Sequence, residues 1–315
     1  MRFVWLVLAV LFSGAANAQY PSKPIRLVVP FPPGGAADLT ARVVSQPLSI
    51  ALGQPVVLDY KAGADGVIAG SDVMRAAADG YTLLFGTATG MCAAPAMRKT
   101  PPYDPIADFT PVALVGKFGF FVFVHESVPA KSMGQLIAYI RNNPGKLNYG
   151  TGNSTSILTS AQLKLSERLD IVHIPYKGDG PASADLIAGR IQILIGTPGT
   201  VLPYVKEGRA RALATLLPQR SPLLPEVPTL LETGQKGISV QPFAGIFGPA
   251  NLPREIIERL AREVAVVMAK PEVREGAARH AFEAQSSTPQ ELADFHKAQF
   301  ENWRKTVREV GIQLD

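Results

Sequence analysis

The segment VVPFPPGGAADLTARVV, residues 28–44, constrains this chain more than any other. A β-branched run stops at a proline-rich corner, two glycines follow, and an apolar-periodic stretch begins. That order predicts a buried strand at 25–30 (IRLVVP) feeding a helix over 37–52. Pro47 lies inside the helical stretch, where it removes an amide donor and crowds the preceding turn, so a kink or a split is expected. The pattern then repeats: PVVLDY, GVIAGSDVMRAAA and YTLLFGT read as strand, helix and strand, punctuated by Gly53-Gln54-Pro55 and Asp79-Gly80. Strands alternating with helices at this spacing imply a mostly parallel sheet with helices on both faces.

The alternation breaks once and restarts. TPVALVGKFGFFVFVHES, residues 110–127, holds two strand-like runs interrupted by Gly116 and Gly119, a candidate crossing between lobes. Beyond it come helix SMGQLIAYIRNNP, strand LNYG, helix SILTSAQLKLSERL and strand IVHIPY. Helix PASADLIAGR, strand IQILIG, helix VLPYVKEG and strand ARALAT follow. A proline-rich connection (218–228) leads to ISVQPFAGIFGP (238–249), which reads as the return crossing, and two long helices close the chain. The expected fold is α/β: two mostly parallel-sheet lobes, the second inserted into the first, joined by two crossing strands. Residues 19–119 and 244–315 form lobe one, and 120–243 form an inserted lobe two. Such a hinge lets a cleft open and close over a ligand.

The bulk numbers narrow the setting. At 315 residues the chain exceeds one typical core. Its 31 basic and 26 acidic residues are scattered singly, without the stripe that nucleic-acid binding requires. MRFVWLVLAVLFSGAANA has one Arg, an apolar run from Phe3 to Phe12 and the small-residue end Ala16-Asn17-Ala18. It reads as a signal peptide over 1–18 with the mature chain starting at Gln19. The stretch is shorter than the roughly 20 apolar residues that span a bilayer. Cys92 is the only cysteine, so no disulfide framework exists, and it is expected to be a small packed hydrophobe. A soluble protein of the bacterial periplasm is the resulting expectation.

Enzyme signatures are missing: there is no G-x-S-x-G elbow, Walker loop, G-x-G-x-x-G or H-E-x-x-H. His125, His173, His280 and His296 share no metal-ligand spacing, so no metal or cofactor is expected. His173 reads as a hydrogen-bonded core or rim residue, and solvent is the default for His125 and His296. A hydrolase would have to use Ser154 or Ser156 as nucleophile, and no His or acid is placed by sequence to serve either.

What recurs is a strand, a loop rich in glycine or hydroxyls, and a helix. The first loop offers Pro33, Gly34, Gly35, Ala36 and Asp38, and the second Thr87 and Thr89. The third offers Thr151, Asn153, Ser154 and Thr155, and the fourth Gly178, Pro181, Ala182 and Asp185. Each alone reads as an ordinary helix start, with Asp38, Ser154 or Ser156 as caps. Four together at strand C-termini read as an anion cleft, where open α/β sheets bind ligands. None of the loops carries an Arg, so a carboxylate held by amides and hydroxyls fits better than a phosphate seeking a guanidinium fork. Asp38 and Asp185 would either orient their loops by accepting backbone amides or bind a substrate ammonium. Phe31, Phe118 and Phe243 would either face an apolar ligand or only pack the hinge.

YPSKPIRLVVPFPPGGAAD, DGYTLLFGT, KLNYGTGN, IVHIPYKGDGPASADLIAGRI and RSPLLPEVPTLLETG resemble, in order and in register from Tyr20 to near Gly311, the Bug receptors of tripartite tricarboxylate transporters. The resemblance implies a two-lobed periplasmic binding protein of the type II, Venus-flytrap class, an extracytoplasmic solute-binding protein without catalysis, a monomer, that delivers a small carboxylic acid to membrane permease subunits. A sensor docking on a membrane kinase would share fold and pocket. It also implies that the Pro32–Asp38 loop and the loop around Lys177–Ala182 act as pincers on one carboxylate through main-chain donors and ordered water. Two departures stand out. The family's LMFD becomes Leu194-Ile195-Gly196-Thr197, and GNGSSSH becomes GNSTSIL, with Ile157 and Leu158 at polar positions. An aromatic or partly apolar acid is therefore among the expected ligands.

Overall fold

The computed structural model describes residues 20–235 and 241–313, so the expected signal peptide lies outside the described residues. From the start of the described chain the expected alternation is present. Strand β1 (Ile25–Val29) leads to α1 (Ala36–Leu52), β2 (Val56–Tyr60), α2 (Val67–Met74) and β3 (Thr82–Thr87). A π-helical turn, Thr89–Ala93, runs into the short α3 (Ala94–Ala96). Strand β4 (Phe109–Phe118) then passes through Gly119-Phe120 into β5 (Phe121–His125). The next stretch adds α4 (Met133–Asn142), β6 (Asn148–Thr151), α5 (Ser154–Glu167), β7 (Val172–Pro175) and α6 (Asp179–Ile187). It continues with β8 (Ile193–Gly196), α7 (Leu202–Lys206) and β9 (Ala210–Thr215). The chain closes with β10 (Phe243–Pro249), α8 (Arg254–Ala269), α9 (Pro271–Ala278), β11 (Phe282–Ala284) and α10 (Pro289–Val310).

These strands form two sheets, ordered β11-β4-β10-β3-β1-β2 and β7-β6-β8-β5-β9. Each sheet is mixed rather than mostly parallel. The strand–helix–strand units give parallel pairs, β2-β1-β3 in the first sheet and β7-β6-β8 in the second. The strands on either side of the connections between the sheets pair antiparallel: β10 with β3 and β4, and β5 with β8 and β9. The direction follows from connectivity, since a strand arriving from the other lobe enters its sheet from the end at which local strands leave.

Pro47 does not split α1, which runs unbroken for 17 residues. Val44, Leu48 and Leu52 are buried around it. Such side chains each gain roughly 1.5–3 kcal/mol on burial, which together outweighs the roughly 3 kcal/mol cost of an interior proline. His296 also departs from expectation. It is buried on α10, its Nε2 donates to the Met91 carbonyl at 2.9 Å, and its ring lies edge-on to Phe247. Burial depresses its pKa, so this histidine is a neutral strut between α10 and the π turn. His173 meets its expectation by pairing with Thr151. Cys92 is a fully buried thiol whose pKa burial raises well above the ordinary value.

Gly116 is required where β4 bends. Its φ is +149°, and a Cβ there would overlap the Glu283 carbonyl oxygen of β11 and the Phe282 ring. The register between β4 and β10 shifts at this point, which turns β4 toward the other lobe. Gly116→Ala is expected to lower unfolding free energy by about 2–4 kcal/mol, read from urea denaturation. A change below 0.5 kcal/mol would remove this bend from the account.

Candidate functional site

A cavity of about 410 Å³ lies between the sheets, walled by the loops after β1 and β3, the loops after β6, β7 and β8, and the two connections between lobes. Local sequence explains its first wall. Pro32 and Pro33 stiffen the chain after β1, and Gly34 adopts φ +89°, a conformation disfavoured for residues with a Cβ. Gly35 then caps α1 with an extended backbone (φ −84°, ψ 171°) and no side chain. The main-chain bond from Leu39 N to the Gly35 carbonyl (3.0 Å) starts the helix. The amides before Leu39 have no intrahelical partner, by the geometry of any α-helix start.

The facing wall repeats the device in the other lobe. Gly178, at φ +109°, caps α6 without a side chain, and α6 begins at Asp179. In contrast, Ser132, Asn153 and Thr288 accept backbone amides at the starts of α4, α5 and α10. Thus α1 and α6 present bare N-terminal amides from opposite lobes to one cavity, and helix dipoles favour negative charge there.

The third loop is less available than its composition suggests. Asn153 and Ser156 form a reciprocal capping box, so the start of α5 is satisfied internally. Thr155 shares a 2.8 Å hydrogen bond with Thr89, and the Ser154 hydroxyl donates to the Asp65 carboxylate. Both contacts tie the second sheet's lobe to the first. Thr87, also a wall residue, is different: its buried hydroxyl has no hydrogen-bond partner among the described residues.

Eleven of the sequence-derived candidates line the cavity. They are Pro33, Gly34, Gly35 and Ala36, then Thr87, Thr89, Asn153 and Thr155, then Gly178, Pro181 and Phe243. Asp38, Thr151, Ser154, Ala182 and Asp185 do not. Asp38 is buried beneath the first loop and accepts from Gly34 N (2.7 Å), Arg42 Nε (2.7 Å) and the Tyr60 hydroxyl (2.5 Å). Burial pushes its carboxyl up, but those three donors win and hold it below the usual carboxylate range. Asp185 accepts from Tyr176 (2.8 Å) and Arg190 (2.5 Å), which lower its pKa. Asp38 therefore orients its loop by accepting a main-chain amide, the first of the two readings the sequence left open, whereas Asp185 accepts only from the Tyr176 and Arg190 side chains and lies off the cavity wall. Thr151 pairs with His173 at 2.7 Å, and Ala182 packs into the lobe-two core.

Asp179, Thr197, Thr200, Phe120 and Pro242 also line the cavity and escaped sequence reasoning. Asp179 accepts from Asn153 Nδ2 (3.0 Å) and Thr197 Oγ1 (3.0 Å), pinning three loops of lobe two together. Burial pushes its carboxyl above the ordinary range, against the pull of those donors. Gly152 has to be glycine here because a Cβ would overlap this carboxylate. The one available signal was Asp179 sitting between two glycines in KGDGP.

Ser154 is bonded to Asp65 and Ser156 to the Asn153 loop, and neither meets a histidine among the described residues. No group of three His, Cys, Asp or Glu among the described residues is arranged for a metal ion. No described helix is long and apolar enough to cross a membrane.

Two mixed-sheet lobes around a cleft walled by helix starts define the class of periplasmic binding proteins, and the structural neighbours agree. The "periplasmic transporter" structure has a TM-score of 0.87 at 36% identity, covering 94% of this chain and 100% of the other. Rpa4515 of R. palustris, solved with adipate, gives 0.87 at 32% identity over 93% and 99%. MatC from Rhodopseudomonas palustris, solved with bound malate, gives 0.82 at 28% identity over 91% and 100%. In sequence, the UPF0065 protein in the tcbD-tcbE intergenic region of Pseudomonas sp. (strain P51) is 37% identical over 94% of this chain and 89% of its own length. Protein BugT of Bordetella pertussis is 32% identical over 99% and 96%. The family model described as the tripartite tricarboxylate transporter family receptor, TctC, matches residues 40–312. This chain belongs to that family of solute-binding receptors.

The Asp38 knot generates a pH signature. A carboxyl whose folded pKa is depressed contributes stability that is complete above its unfolded value near 3.9 and is lost as pH falls through the folded pKa. Asp38→Asn is expected to cost about 1.5–3 kcal/mol at pH 7. That deficit should close as pH falls below the usual carboxylate range, in denaturation series across pH. A deficit independent of pH would refute the ionised knot.

Proposed function

We propose that this chain is the periplasmic receptor that captures a small carboxylic acid between the starts of α1 and α6 and delivers it to the membrane subunits of a tripartite tricarboxylate transporter. One observation carries the reading: two glycine-capped helices, one from each lobe, open onto a shared cavity whose wall also holds the unpartnered Thr87 hydroxyl. Uncharged amides and one hydroxyl suit a carboxylate, and ordered water can complete its shell almost as well as direct bonds. The adipate and malate seen in Rpa4515 and MatC support the same ligand class. The leader-like N-terminus supports export.

Capture then works by population shift. With the lobes apart, the amides of α1 and α6 are hydrated separately. A carboxylate between them gives both helix starts the same partner, so it binds the shut form better and draws the equilibrium there. Thr89–Thr155 and Ser154–Asp65 are contacts between the lobes that such closure would form.

The glycine caps supply the test. At Gly34 and Gly178 a Cβ would meet no atom within 4 Å, yet both residues have positive φ, so a side chain there strains the backbone and re-aims the amides without crowding the core. Carboxylic acids are expected to raise the Tm of the parent protein in proportion to log concentration. Gly34→Val and Gly178→Val are expected to weaken acid binding about tenfold or more by calorimetry, with far-ultraviolet circular dichroism unchanged. Unaltered affinity in both variants would contradict the pincer.

A further inference from the structure

Three consecutive residues at the start of α5 face three different partners. Asn153 donates to Asp179 within its own lobe, Ser154 donates to Asp65 of the other lobe, and Thr155 shares a hydrogen bond with Thr89 of that other lobe. Asn153, Thr155 and Thr89 line the cavity, whereas Ser154 and Asp65 do not. The Asp65–Ser154 contact thus joins the lobes beside the ligand space without entering it.

Both sides of this contact are held ready. The capping box of Asn153 and Ser156 fixes the first turn of α5, where Ser154 sits. Across the junction, the π turn is pinned by the Tyr103 hydroxyl, which donates to the Gly90 carbonyl at 2.7 Å, and by His296 at the Met91 carbonyl. The Asp65 turn rests on that base: a Cβ at Gly90 would stand 3.5 Å from the Asp65 carbonyl oxygen. The turn itself is strained. Gly63, Ala64, Asp65 and Gly66 all have positive φ, at +131°, +46°, +57° and +88°, and Ala64 and Asp65 carry side chains that disfavour it. Such a conformation persists only where its surroundings hold it, and it is common at switch regions. Ser154 supplies a hold from the other lobe. The contact is also of a kind that parts readily, because a hydroxyl and a carboxylate can exchange each other for water, unlike the apolar side chains packed between α5 and α10.

Resting on the receptor reading above, we propose that Asp65 sets the affinity of this receptor from outside the cavity, as a latch that closes on Ser154 when the lobes shut. The latch stabilises the shut form alone. It therefore enlarges the population that a bound acid requires, which lowers the apparent dissociation constant. It touches no ligand atom, so its loss weakens all acids by one factor. A residue of the cavity wall would instead discriminate among them.

Titration calorimetry of the mature chain with adipate, malate and benzoate tests this, together with the Tm of the ligand-free protein. Asp65→Gly removes the carboxylate while suiting a φ of +57°, so the turn keeps its shape without strain. Ser154→Ala removes the donor. Each variant is expected to weaken binding about tenfold, by the same factor for whichever of the three acids bind the parent, and the double variant no further than either alone. Asp65→Asn, which keeps an acceptor oxygen, is expected to lose less. The ligand-free Tm is expected to stay within about 2 °C of the parent in all of them. If Asp65→Gly and Ser154→Ala bind with parental affinity, the latch is overturned while the receptor reading stands, and a fall in Tm alone would mark the contact as a fixed joint. Unequal losses from acid to acid also overturn the latch, because they place these residues among the ligand's own contacts. If none of the three acids binds the parent, the receptor reading falls and takes this proposal with it.

Discussion

Bare peptide amides at two helix starts are the constraint around which this structure is arranged. An unsatisfied buried donor costs about 1–3 kcal/mol, and proteins ordinarily avoid that with a side-chain cap. This chain does so at α4, α5 and α10. It leaves α1 and α6 capped by glycines, and only those two such starts come from different lobes onto the same cavity. The acids beside each start do not fill it. Asp38 is turned under its loop to hold Gly34, Arg42 and Tyr60, and Asp179 is spent on Asn153 and Thr197. Each carboxylate shapes a donor loop while leaving the outward amides for something else.

The two starts are useful only if the lobes hold them at the right separation. Antiparallel entry of β4, β5 and β10 carries the chain between the sheets, and Gly116 allows the bend. The C-terminal helix strengthens the join. Trp303 and Leu292 of α10 share one buried cluster with Met91 of the π turn and Leu158 of α5, so α10 touches both lobes. Leu158, where the resemblance implies a polar residue, packs within that cluster rather than lining the cavity. The departure GNSTSIL therefore acts on how the lobes join, while the apolar character of the cavity comes from the phenylalanines of the connections.

Much of this was legible in the sequence because local patterns dictated it. Strand and helix periodicity placed nearly every element, and glycine-rich loops after strands marked the cavity walls. Three kinds of feature were hidden. Direction within a sheet depends on where a strand arrives from, so the mixed pairing of β4, β5 and β10 could not be read from β-branched runs. Burial of a polar residue depends on distant partners. His296 looked like a surface group until Met91 closed over it, and nothing marked Asp179 as the acceptor that Asn153 and Thr197 share. Hydroxyls that look equivalent in a string separate only in space: Thr155 is tied to Thr89 and Ser156 to its own cap, while Thr87 is buried without a partner among the described residues. The short α9 and β11 had no signal strong enough to compete with the long helices around them.

The most direct measurement is a crystal structure of the mature chain with a bound carboxylic acid, refined to a resolution that shows ordered water. The account predicts the carboxylate oxygens between α1 and α6, bonded to main-chain amides of both helix starts directly or through one water, with the apolar body against Phe118, Phe120 and Phe243. A carboxylate pointing into the phenylalanine wall, or engaging one lobe alone in a closed protein, would contradict it.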